Sequence, residues 1–270
     1  MSKTLIIADI GANADGSLDK MLRAIDVAKA CGVDVFKAQW TSDPHLMAKR
    51  RGKALEDGYE AIYRRYLAWP AEWHADLAGK CQVVGVEYMC TAFVPQDVAV
   101  ILPYVWRCKV ASFEAQDGEL IAQYHIPVRD RTHDLIVSVG MAAEWYCAGP
   151  NTFHLLCTSA YPAPVESLGL ARIRAERLDG FSDHSDPHLT WTGALAVAAG
   201  ATIIEAHLRL DDTDPANPDY PHAMTPAQFT EYVEHIRFCE KALGSGEKKM
   251  QPCEEQMSRY RVQASADVQA

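Results

Sequence analysis

Two short apolar segments in the last third of the chain, each ending in a histidine, constrain the fold more than any other feature. They cover residues 180–184 and 203–207, and the Ala-rich segment 189–200 between them has helical composition. A strand, a helix and a strand in this order form a parallel βαβ unit. In an eight-stranded βα barrel the carboxyl ends of the strands meet at one mouth, which would bring His184 and His207 together.

These two histidines are the first candidates for chemistry. Two imidazoles at adjacent strand ends can bind one divalent cation at about 2.0–2.2 Å. A lone histidine at a strand end is more often a hydrogen-bonded structural residue, so it is the pair that suggests a metal site. Asp183 could orient His184 from behind or point away from it. Glu205 shares the inward face of its strand with His207.

The same alternation of apolar and polar segments occupies the rest of the chain. Apolar segments that predict six further strands lie at residues 4–10, 33–39, 83–90, 105–110, 135–138 and 153–157. Helical patterns fill most of the intervals, with one at 60–80 that breaks near Pro70 and one that begins at the capping-box residue Thr225. The sequence therefore predicts an α/β protein, a single-domain (β/α)8 TIM barrel over residues 1–261, with residues 262–270 as a frayed C-terminal tail.

Charge and composition narrow the functional class. The net charge of −10 argues against nucleic acid or an anionic membrane as a partner. No apolar run reaches the roughly 18 residues of a membrane span, and the N-terminus begins with a strand pattern and not with a signal peptide. The eight cysteines are scattered without a Cys-x-x-Cys motif, which indicates reduced thiols. Together these features predict a cytoplasmic protein.

Two lysines stand inside otherwise apolar predicted strands. Lys37 and Lys109 occupy positions where a lysine is rarely buried without a partner. If they point into the mouth, they could bind a phosphate or a carboxylate. They could also form internal salt bridges with Asp9, Glu114 or Glu205, and residue type alone does not separate these two interpretations. A lysine acting as a Schiff-base nucleophile is a third interpretation.

The strand-end motifs form a specific set in chain order: Lys37-Ala-Gln39, Lys109-Val-Ala-Ser-Phe-Glu114, Ser182-Asp-His184, Glu205-Ala-His207 and Leu243-Gly-Ser-Gly-Glu247. With this set the chain resembles the N-acetylneuraminate (sialic acid) synthases and their relatives over nearly its whole length. The resemblance implies a barrel enzyme that condenses phosphoenolpyruvate with an open-chain aldose similar to an N-acylmannosamine. The product would be a 2-keto-3-deoxy sugar acid of the sialic acid type, released with phosphate, and the cofactor a divalent metal ion, Mn²⁺ or Mg²⁺.

The same resemblance implies three roles for the site residues. The metal ligands would be His184 and His207. The catalytic groups would be Asp9, Glu114, Lys37 and Lys109, and the two lysines would also hold phosphoenolpyruvate. The substrate-binding residues would be Gln39, Thr91, Ser112, Ser138, Tyr161, Ser182 and Asp219, of which Gln39, Tyr161 and Asp219 would face the sugar.

The sequence departs from the family pattern at several places. Asp9 stands where relatives usually have Glu, Ala14 replaces a usual His, and Ser159 replaces a usual Asn. The interval between Met141 and Phe153 holds eleven residues, too few for a normal barrel helix with its loops. Family members usually continue into a small antifreeze-like domain that covers the site, and this chain is expected to lack it.

Without such a domain the mouth needs another cover. Segments 40–59 and 210–224, or a second subunit in a homodimer, are expected to provide it, and the acceptor is then expected to differ from N-acetylmannosamine. Two other interpretations stay open. The chain could be another metal-dependent barrel aldolase or lyase, or a non-catalytic subunit that retains the pocket and needs a capping partner.

Overall fold

The computed structural model describes residues 3–52, 58–141 and 149–262, in which eight parallel strands close into one barrel. The strands pair in chain order, and the last strand pairs with the first. They are β1 (Leu5–Asp9), β2 (Val35–Trp40), β3 (Glu87–Ala92), β4 (Arg107–Val110), β5 (Asp134–Val139), β6 (Thr152–Cys157), β7 (Gly180–Asp183) and β8 (Ile203–His207). The predicted (β/α)8 TIM barrel is confirmed.

Helices occupy most of the intervals between the strands. They are α1 (Leu18–Ala30), α2 (Pro44–Arg50), α3 (Tyr59–Tyr66), α4 (Trp73–Val84), α5 (Pro95–Ile101), α6 (Gly118–Ala122), α7 (His125–Arg129), α8 (Ala171–Ala175), α9 (Thr192–Ala199), α10 (Pro226–Leu243) and α11 (Glu255–Ser258). The predicted capping box begins α10, because the Thr225 hydroxyl accepts from the Gln228 backbone N–H while the Gln228 side chain accepts from the Thr225 backbone N–H.

Apolar side chains pack on both faces of the strands. Six that point into the barrel form its interior cluster: Ile7, Val35, Met89, Ile136, Leu155 and Ile203. A larger core lies between the strands and the helices and includes Phe36, Leu77 and Phe229. Parallel strands buried on both faces carry nearly continuous apolar sequence, so their positions could be predicted.

The helical segment predicted at 60–80 divides near Pro70, as expected, into α3 and α4. The boundary after it was wrong, because the first part of the strand predicted at 83–90 is helical. Val83 ends up in α4 with 84% of its surface exposed. Gly85 follows in a left-handed conformation with φ of +72°, which ends the helix, and β3 begins at Glu87. A short apolar run fits a helix as well as a strand, so composition did not separate the two.

The segment 40–59, which was predicted from its polar, irregular sequence to be a loop over the mouth, contains a helix. Trp40 still belongs to β2. α2 begins where the Asp43 side chain accepts the backbone N–H three residues later and Pro44 takes the first helical position. Residues 53–57 lie outside the described part of the chain.

α2 and α3 pack together as a small second core beside the carboxyl ends of the strands. We call it the mouth cluster, and its buried members are Ala12, Met47, Ala48, Tyr63, Tyr66, Leu67, Phe93 and Val94. It joins the interval after β2 to the segments that follow β1 and β3. The aromatic and aliphatic residues of α3 account for this cluster, because they pack against α2 and not against a barrel strand.

Several expectations fall partly outside the described residues. Residues 142–148, in the short interval before β6, and 263–270, most of the predicted tail, are not described, and Val262 is exposed. The seven cysteines within the described ranges are free thiols, whereas Cys147 lies outside them. Of the helices that the structure describes, none has both the length and the apolar character needed to cross a membrane.

Candidate active site

The two-residue periodicity of the strands places the predicted polar residues directly above the apolar interior. Asp9, Lys37, Thr91, Ser138 and Glu205 each follow a member of the interior cluster by two positions. Because successive side chains of a strand alternate between its faces, these residues also point inward, at the carboxyl end. The barrel is therefore apolar inside and charged at its mouth.

The mouth holds a cavity of about 530 Å³, a size that suits a small-molecule substrate. The predicted site residues that line it are Asp9, Lys37, Gln39, Lys109, Ser112, Ser138, Tyr161, Ser182, His184, His207 and Asp219. Thr91 and Glu114 adjoin this set through hydrogen bonds to other residues of the lining. Much of the remaining lining is apolar or aromatic and comes from the mouth cluster.

Lys37 is buried at the base of the cavity between two carboxylates. Its Nζ lies 2.5 Å from Asp9 Oδ2 and 3.6 Å from Glu205 Oε2, and it donates to Thr91 Oγ1 at 3.2 Å. Burial lowers the pKa of Lys37, but the two carboxylates raise it by more, so the ammonium group is charged. A nucleophilic lysine needs the opposite shift, so this environment does not favour Schiff-base chemistry at Lys37.

Lys109 lies on the other side of Glu205. Its Nζ donates to Ser138 Oγ at 2.8 Å and lies 3.5 Å from Glu205 Oε1. Burial lowers the pKa of Lys109, and the charge of Glu205 opposes this only in part. Ser182 Oγ also donates to Glu205 Oε1, at 2.9 Å. Glu205 thus holds both lysines and one hydroxyl group at the base of the cavity.

The internal salt bridges considered above as an alternative are therefore present, with Asp9 and Glu205 as the partners. The four buried charges of this group, carried by Lys37, Lys109, Asp9 and Glu205, sum to zero. Burying an unpaired charge is costly. A multiply charged anion that enters this neutral centre consequently needs a further positive charge beside it.

Three buried imidazoles face one another next to the lysines. His184 and His207 come from the ends of β7 and β8, and their ring centroids lie 5.8 Å apart. The ring of His222, from the turn at Tyr220–His222, lies 4.6 Å from that of His207 and 6.3 Å from that of His184. Burial lowers the pKa of all three, that of His222 to about 4. The rings are neutral, so each has a nitrogen lone pair that can bind a cation.

His207, Asp219 and His222 form a potential metal site. One ligand atom from each lies within 4.8 Å of the other two. Asp219 Oδ2 lies 3.6 Å from His207 Nδ1 and accepts from the Ala12 backbone N–H at 2.8 Å, and burial raises the pKa of Asp219 to about 6. Among the described residues, His207 Nδ1 and both ring nitrogens of His222 lack a hydrogen-bond partner. Buried polar atoms without a partner fit a site built for a ligand.

His184 stands at the edge of this group. Its Nδ1 lies 2.9 Å from the Thr158 carbonyl oxygen, and its Nε2 lies 3.4 Å from Ser182 Oγ. An imidazole fixed through one nitrogen by a carbonyl commonly presents the other to a metal. The Asp183 side chain points away from the mouth and accepts from Tyr232 OH at 2.9 Å. Of the two orientations predicted for Asp183, behind His184 or away from it, the structure has the second.

The residues predicted to face the sugar lie around the same cavity. Gln39 Nε2 donates to Asp9 Oδ2 at 2.8 Å. Tyr161 is 40% exposed at the rim, beside the imidazoles. The hydroxyls of Ser112 and Ser159 lie 2.8 Å apart, so the serine that replaces the usual asparagine reaches the predicted substrate-binding residues.

The aromatic part of the cavity surrounds Arg51, the residue after α2. Its guanidinium carbon lies 4.7–5.3 Å from the ring centroids of Tyr63, Phe93 and Phe113. Nε donates to Glu114 Oε1 at 2.7 Å, and Nη1 donates to Tyr63 OH at 2.8 Å. Burial raises the pKa of Glu114, and Arg51 opposes that shift. Glu114 is thus paired with an arginine of the wall and not with either lysine.

The sequence motifs did not identify Arg51 and His222. They lie in segments 40–59 and 210–224, which were predicted only as covers of the mouth. Neither segment has the periodicity of a strand or a long helix. The one signal that could have found them is their place after β2 and β8, because segments that follow barrel strands line the mouth.

The fold and the site together define a class of protein. A parallel (β/α)8 barrel whose mouth presents lysines, hydroxyls and imidazoles to one small-molecule cavity is typical of a barrel enzyme. The model of the NeuB family matches residues 24–248. The chain belongs to the NeuB family, and it is a synthase-type enzyme.

Individual relatives agree with this assignment. The chain is 32% identical to a pseudaminic acid synthase of Campylobacter jejuni, in a match that covers 90% of this chain and 76% of the relative. It is 30% identical to the N-acetylneuraminate-9-phosphate synthase of Homo sapiens, over 92% of this chain and 74% of that one. The crystal structure of an N-acetylneuraminic acid (sialic acid) synthetase from Leptospira borgpetersenii superposes with a TM-score of 0.84 at 23% identity, covering 96% of this chain and 92% of that one. The resemblance inferred from the strand-end motifs is confirmed.

Proposed function

We propose that this chain condenses phosphoenolpyruvate with an open-chain aldose in the presence of a divalent cation. The products are a 2-keto-3-deoxy sugar acid of the sialic acid type and phosphate. The observation that carries the proposal is that two buried lysines and a group of neutral imidazoles line one cavity. Relatives that are named as synthases of pseudaminic acid and of N-acetylneuraminate 9-phosphate support the same class of reaction. The enzyme acts in the cytoplasm.

The lysines provide the anion site. Lys37 and Lys109 would exchange their carboxylate partners for the phosphate and carboxylate of phosphoenolpyruvate, and the hydroxyls of Ser112, Ser138 and Ser182 would donate to the same anion. Hydrogen bonds between charged groups are roughly twice as strong as neutral ones. Because the buried charges around the lysines already cancel, binding of this anion favours a cation close by.

The residues present fit such a cation. His184 and His207 offer imidazole nitrogens to the cavity, and Asp219 adds a carboxylate next to His207. Mn²⁺ or Mg²⁺ at this position supplies Lewis-acid polarisation of the acceptor aldehyde and balances the charge of the substrate. An anion site and a cation site on one cavity bring the two substrates into contact.

The reaction forms one carbon–carbon bond. The enol carbon of phosphoenolpyruvate attacks the aldehyde carbon, whose oxygen takes a proton and becomes a hydroxyl group. Water adds at the carbon that bears the phosphate and loses one proton, which balances the proton taken up by the aldehyde oxygen. The bond between this carbon and the phosphate oxygen then breaks, the remaining hydroxyl proton leaves with the hydrogen phosphate, and the keto group forms. Asp9 and Glu205 are the carboxylates closest to the lysines, so they are placed to orient the water and accept its proton. In this role Asp9 is one methylene shorter than the usual Glu.

Two segments of the chain cover the cavity. The mouth cluster contributes Met47 and Tyr63 to its lining, and the segment after β8 contributes Pro218. Excluding water protects an activated enol from hydrolysis. The apolar part of the lining favours an aldose that carries an apolar substituent such as a methyl group. We therefore propose an acceptor other than N-acetylmannosamine. A second subunit in a homodimer would extend this cover.

An acceptor screen tests the proposal. Phosphate release by the purified chain is measured with phosphoenolpyruvate, Mn²⁺ and a panel of aldoses that includes N-acetylmannosamine. Release is expected only when all three components are present, and N-acetylmannosamine should be a poor acceptor. Turnover of that sugar at about 1–10 per second, which is typical of enzymes, would contradict the acceptor assignment.

The same screen separates the other interpretations. No phosphate release with any aldose would overturn the condensation. Metal-dependent cleavage of a sugar, followed in the absence of phosphoenolpyruvate, would then indicate a metal-dependent aldolase or lyase. Release that appears only after a partner protein is added would indicate a subunit that needs a capping partner.

A further inference from the structure

We propose that His222 is a third imidazole ligand of the divalent cation, together with His207 and the Asp219 carboxylate. This inference rests on the proposed function, because it concerns the same cation. It assigns a role to a residue that the strand-end motifs do not include. It also predicts that the cation is bound by the segment after β8 as well as by the strand ends.

Geometry is the first argument. The ring centroids of His222 and His207 lie 4.6 Å apart, and the ring planes meet at 69°. Ligand atoms of His207, Asp219 and His222 all lie within 4.8 Å of one another. Two donors that each lie about 2.0–2.2 Å from a metal can be no more than roughly 4.4 Å apart, so small rotations of these side chains suffice to bind one ion.

The second argument is the state of the His222 ring. His222 is 4% exposed, and neither of its ring nitrogens has a hydrogen-bond partner in the described part of the chain. A buried polar atom without a partner costs about 1–3 kcal/mol. A metal at one nitrogen and water or substrate at the other would remove this penalty. The buried imidazole of His74 in α4 differs in degree: its Nδ1 bonds Tyr88 OH at 2.8 Å, and only its Nε2 lacks a partner among the described residues.

The third argument is how the chain positions His222. Residues Leu208 and Met224 form a parallel bridge, so the segment between them leaves the end of β8 and returns to it. Asn217 attaches the segment 208–224 to the segment that follows β1, because its side chain donates to the Ala12 carbonyl oxygen at 2.6 Å. His222 is thereby held over His207 by backbone contacts and does not depend on a long flexible side chain.

The set of donors bears on which metal is bound. Imidazole nitrogens favour transition metals, whereas Mg²⁺ prefers oxygen ligands and retains waters. A site with three imidazoles and one carboxylate therefore selects Mn²⁺ or a related transition metal over Mg²⁺. The position of His222 makes this preference stronger than His184 and His207 alone would make it.

Metal binding to the full chain tests the inference without any assay of activity. The affinity of the wild type, His222→Gln and His74→Gln for Mn²⁺ is measured by calorimetry in the absence of substrate. His74→Gln is the matched control, because it also removes a buried neutral imidazole. His222→Gln is expected to weaken Mn²⁺ binding by at least about tenfold, and His74→Gln should leave it unchanged.

Pulsed electron paramagnetic resonance of Mn²⁺ bound to the wild type and to His222→Gln gives a second readout that does not depend on affinity. Coupling to the nitrogen of the His222 ring, identified by its loss in His222→Gln, supports the inference. Unchanged Mn²⁺ affinity in folded His222→Gln, or a wild-type spectrum with coupling to no more than two imidazoles, overturns it while the proposed condensation stands. A wild type that binds no Mn²⁺ but still releases phosphate overturns the metal assignment as a whole.

Discussion

Arg51 and Glu114 join the segments after β2 and β4 across the mouth, with Arg51 Nε 2.7 Å from Glu114 Oε1. The side chains are 17% and 6% exposed, so the pair is largely shielded from water. A buried charge that loses its partner destabilises a protein far more than an exposed one does. This contact therefore attaches the mouth cluster to the barrel.

Replacement of Arg51 should cost stability, and the loss should depend on Glu114. Arg51→Met is expected to lower the free energy of unfolding by about 3–5 kcal/mol, because it leaves a buried carboxylate unpaired. The double variant Arg51→Met/Glu114→Gln should recover much of that loss. Urea denaturation of the wild type, both single variants and the double variant measures the coupling.

An exposed arginine on α3 offers a control for this experiment. Arg64 pairs with Glu60 four residues earlier, and the side chains are 62% and 31% exposed, so Arg64→Met should change the free energy of unfolding little. Equal losses in Arg64→Met and Arg51→Met would contradict the role assigned to the Arg51 pair.

Lys109 should contribute strongly to the affinity for phosphoenolpyruvate. Lys109→Met removes a charged donor from a desolvated site and is expected to weaken binding by about 2–5 kcal/mol. Calorimetric titration with phosphoenolpyruvate in the presence of Mn²⁺ measures the change. Lys80→Met, which removes a partly exposed lysine paired with Asp26 on the outer helices, is the control. Binding that is equally tight in both variants would exclude Lys109 from the anion site.

His184 and His207 should each be required for metal binding. Their replacement by alanine is expected to abolish cation-dependent activity and weaken Mn²⁺ binding, while circular dichroism shows a folded barrel. The exposed His45 provides the control variant His45→Ala. If both His184→Ala and His207→Ala bind Mn²⁺ as the wild type does, the cation lies elsewhere.

The stability of the chain should depend on pH through His74. Burial lowers the pKa of this imidazole to about 4, below the value of about 6.5 in an unfolded chain. Between these values the unfolded state binds more protons, so the free energy of unfolding falls as the pH falls from about 6.5 towards 4. The contribution of this one group would reach about 3 kcal/mol.

The measurement is the difference between two stability curves. Burial raises the pKa of Asp97 to about 6, which changes stability in the opposite direction over an overlapping range of pH. Urea denaturation of the wild type and His74→Gln at several pH values removes this common background. The variant should lose less stability than the wild type on acidification, and parallel curves would show that His74 does not carry the effect.

The barrel could be predicted from sequence because its strands are apolar on both faces and end in polar residues. The same rule identified Lys37 and Lys109, since a lysine in such a strand has few places to point other than the mouth. It failed at Val83, because Val83 and Val84 are the last two residues of α4 and not the start of a strand. Local pattern also left the orientation of Asp183 open, because its partner Tyr232 lies on a distant helix.

Arg51 and His222 could not be predicted for a different reason. Each lies in a segment whose path is fixed by contacts far away in sequence, such as Arg51 with Glu114 and Asn217 with Ala12. The spacing of apolar residues along the sequence carries no information about those contacts. Their position over the cavity becomes visible only when the segments are placed against the closed barrel.

The mouth cluster shares no buried member with the interior cluster or with the larger core around the strands. Substitutions on the cavity side of α2 and α3 can therefore alter the sugar that is accepted while the strands keep their packing and their lysines. Selection for a new acceptor can act on one part of the chain and selection for a durable scaffold on another. This separation allows a lineage of such barrels to diversify in the sugars it makes without first evolving a more stable protein.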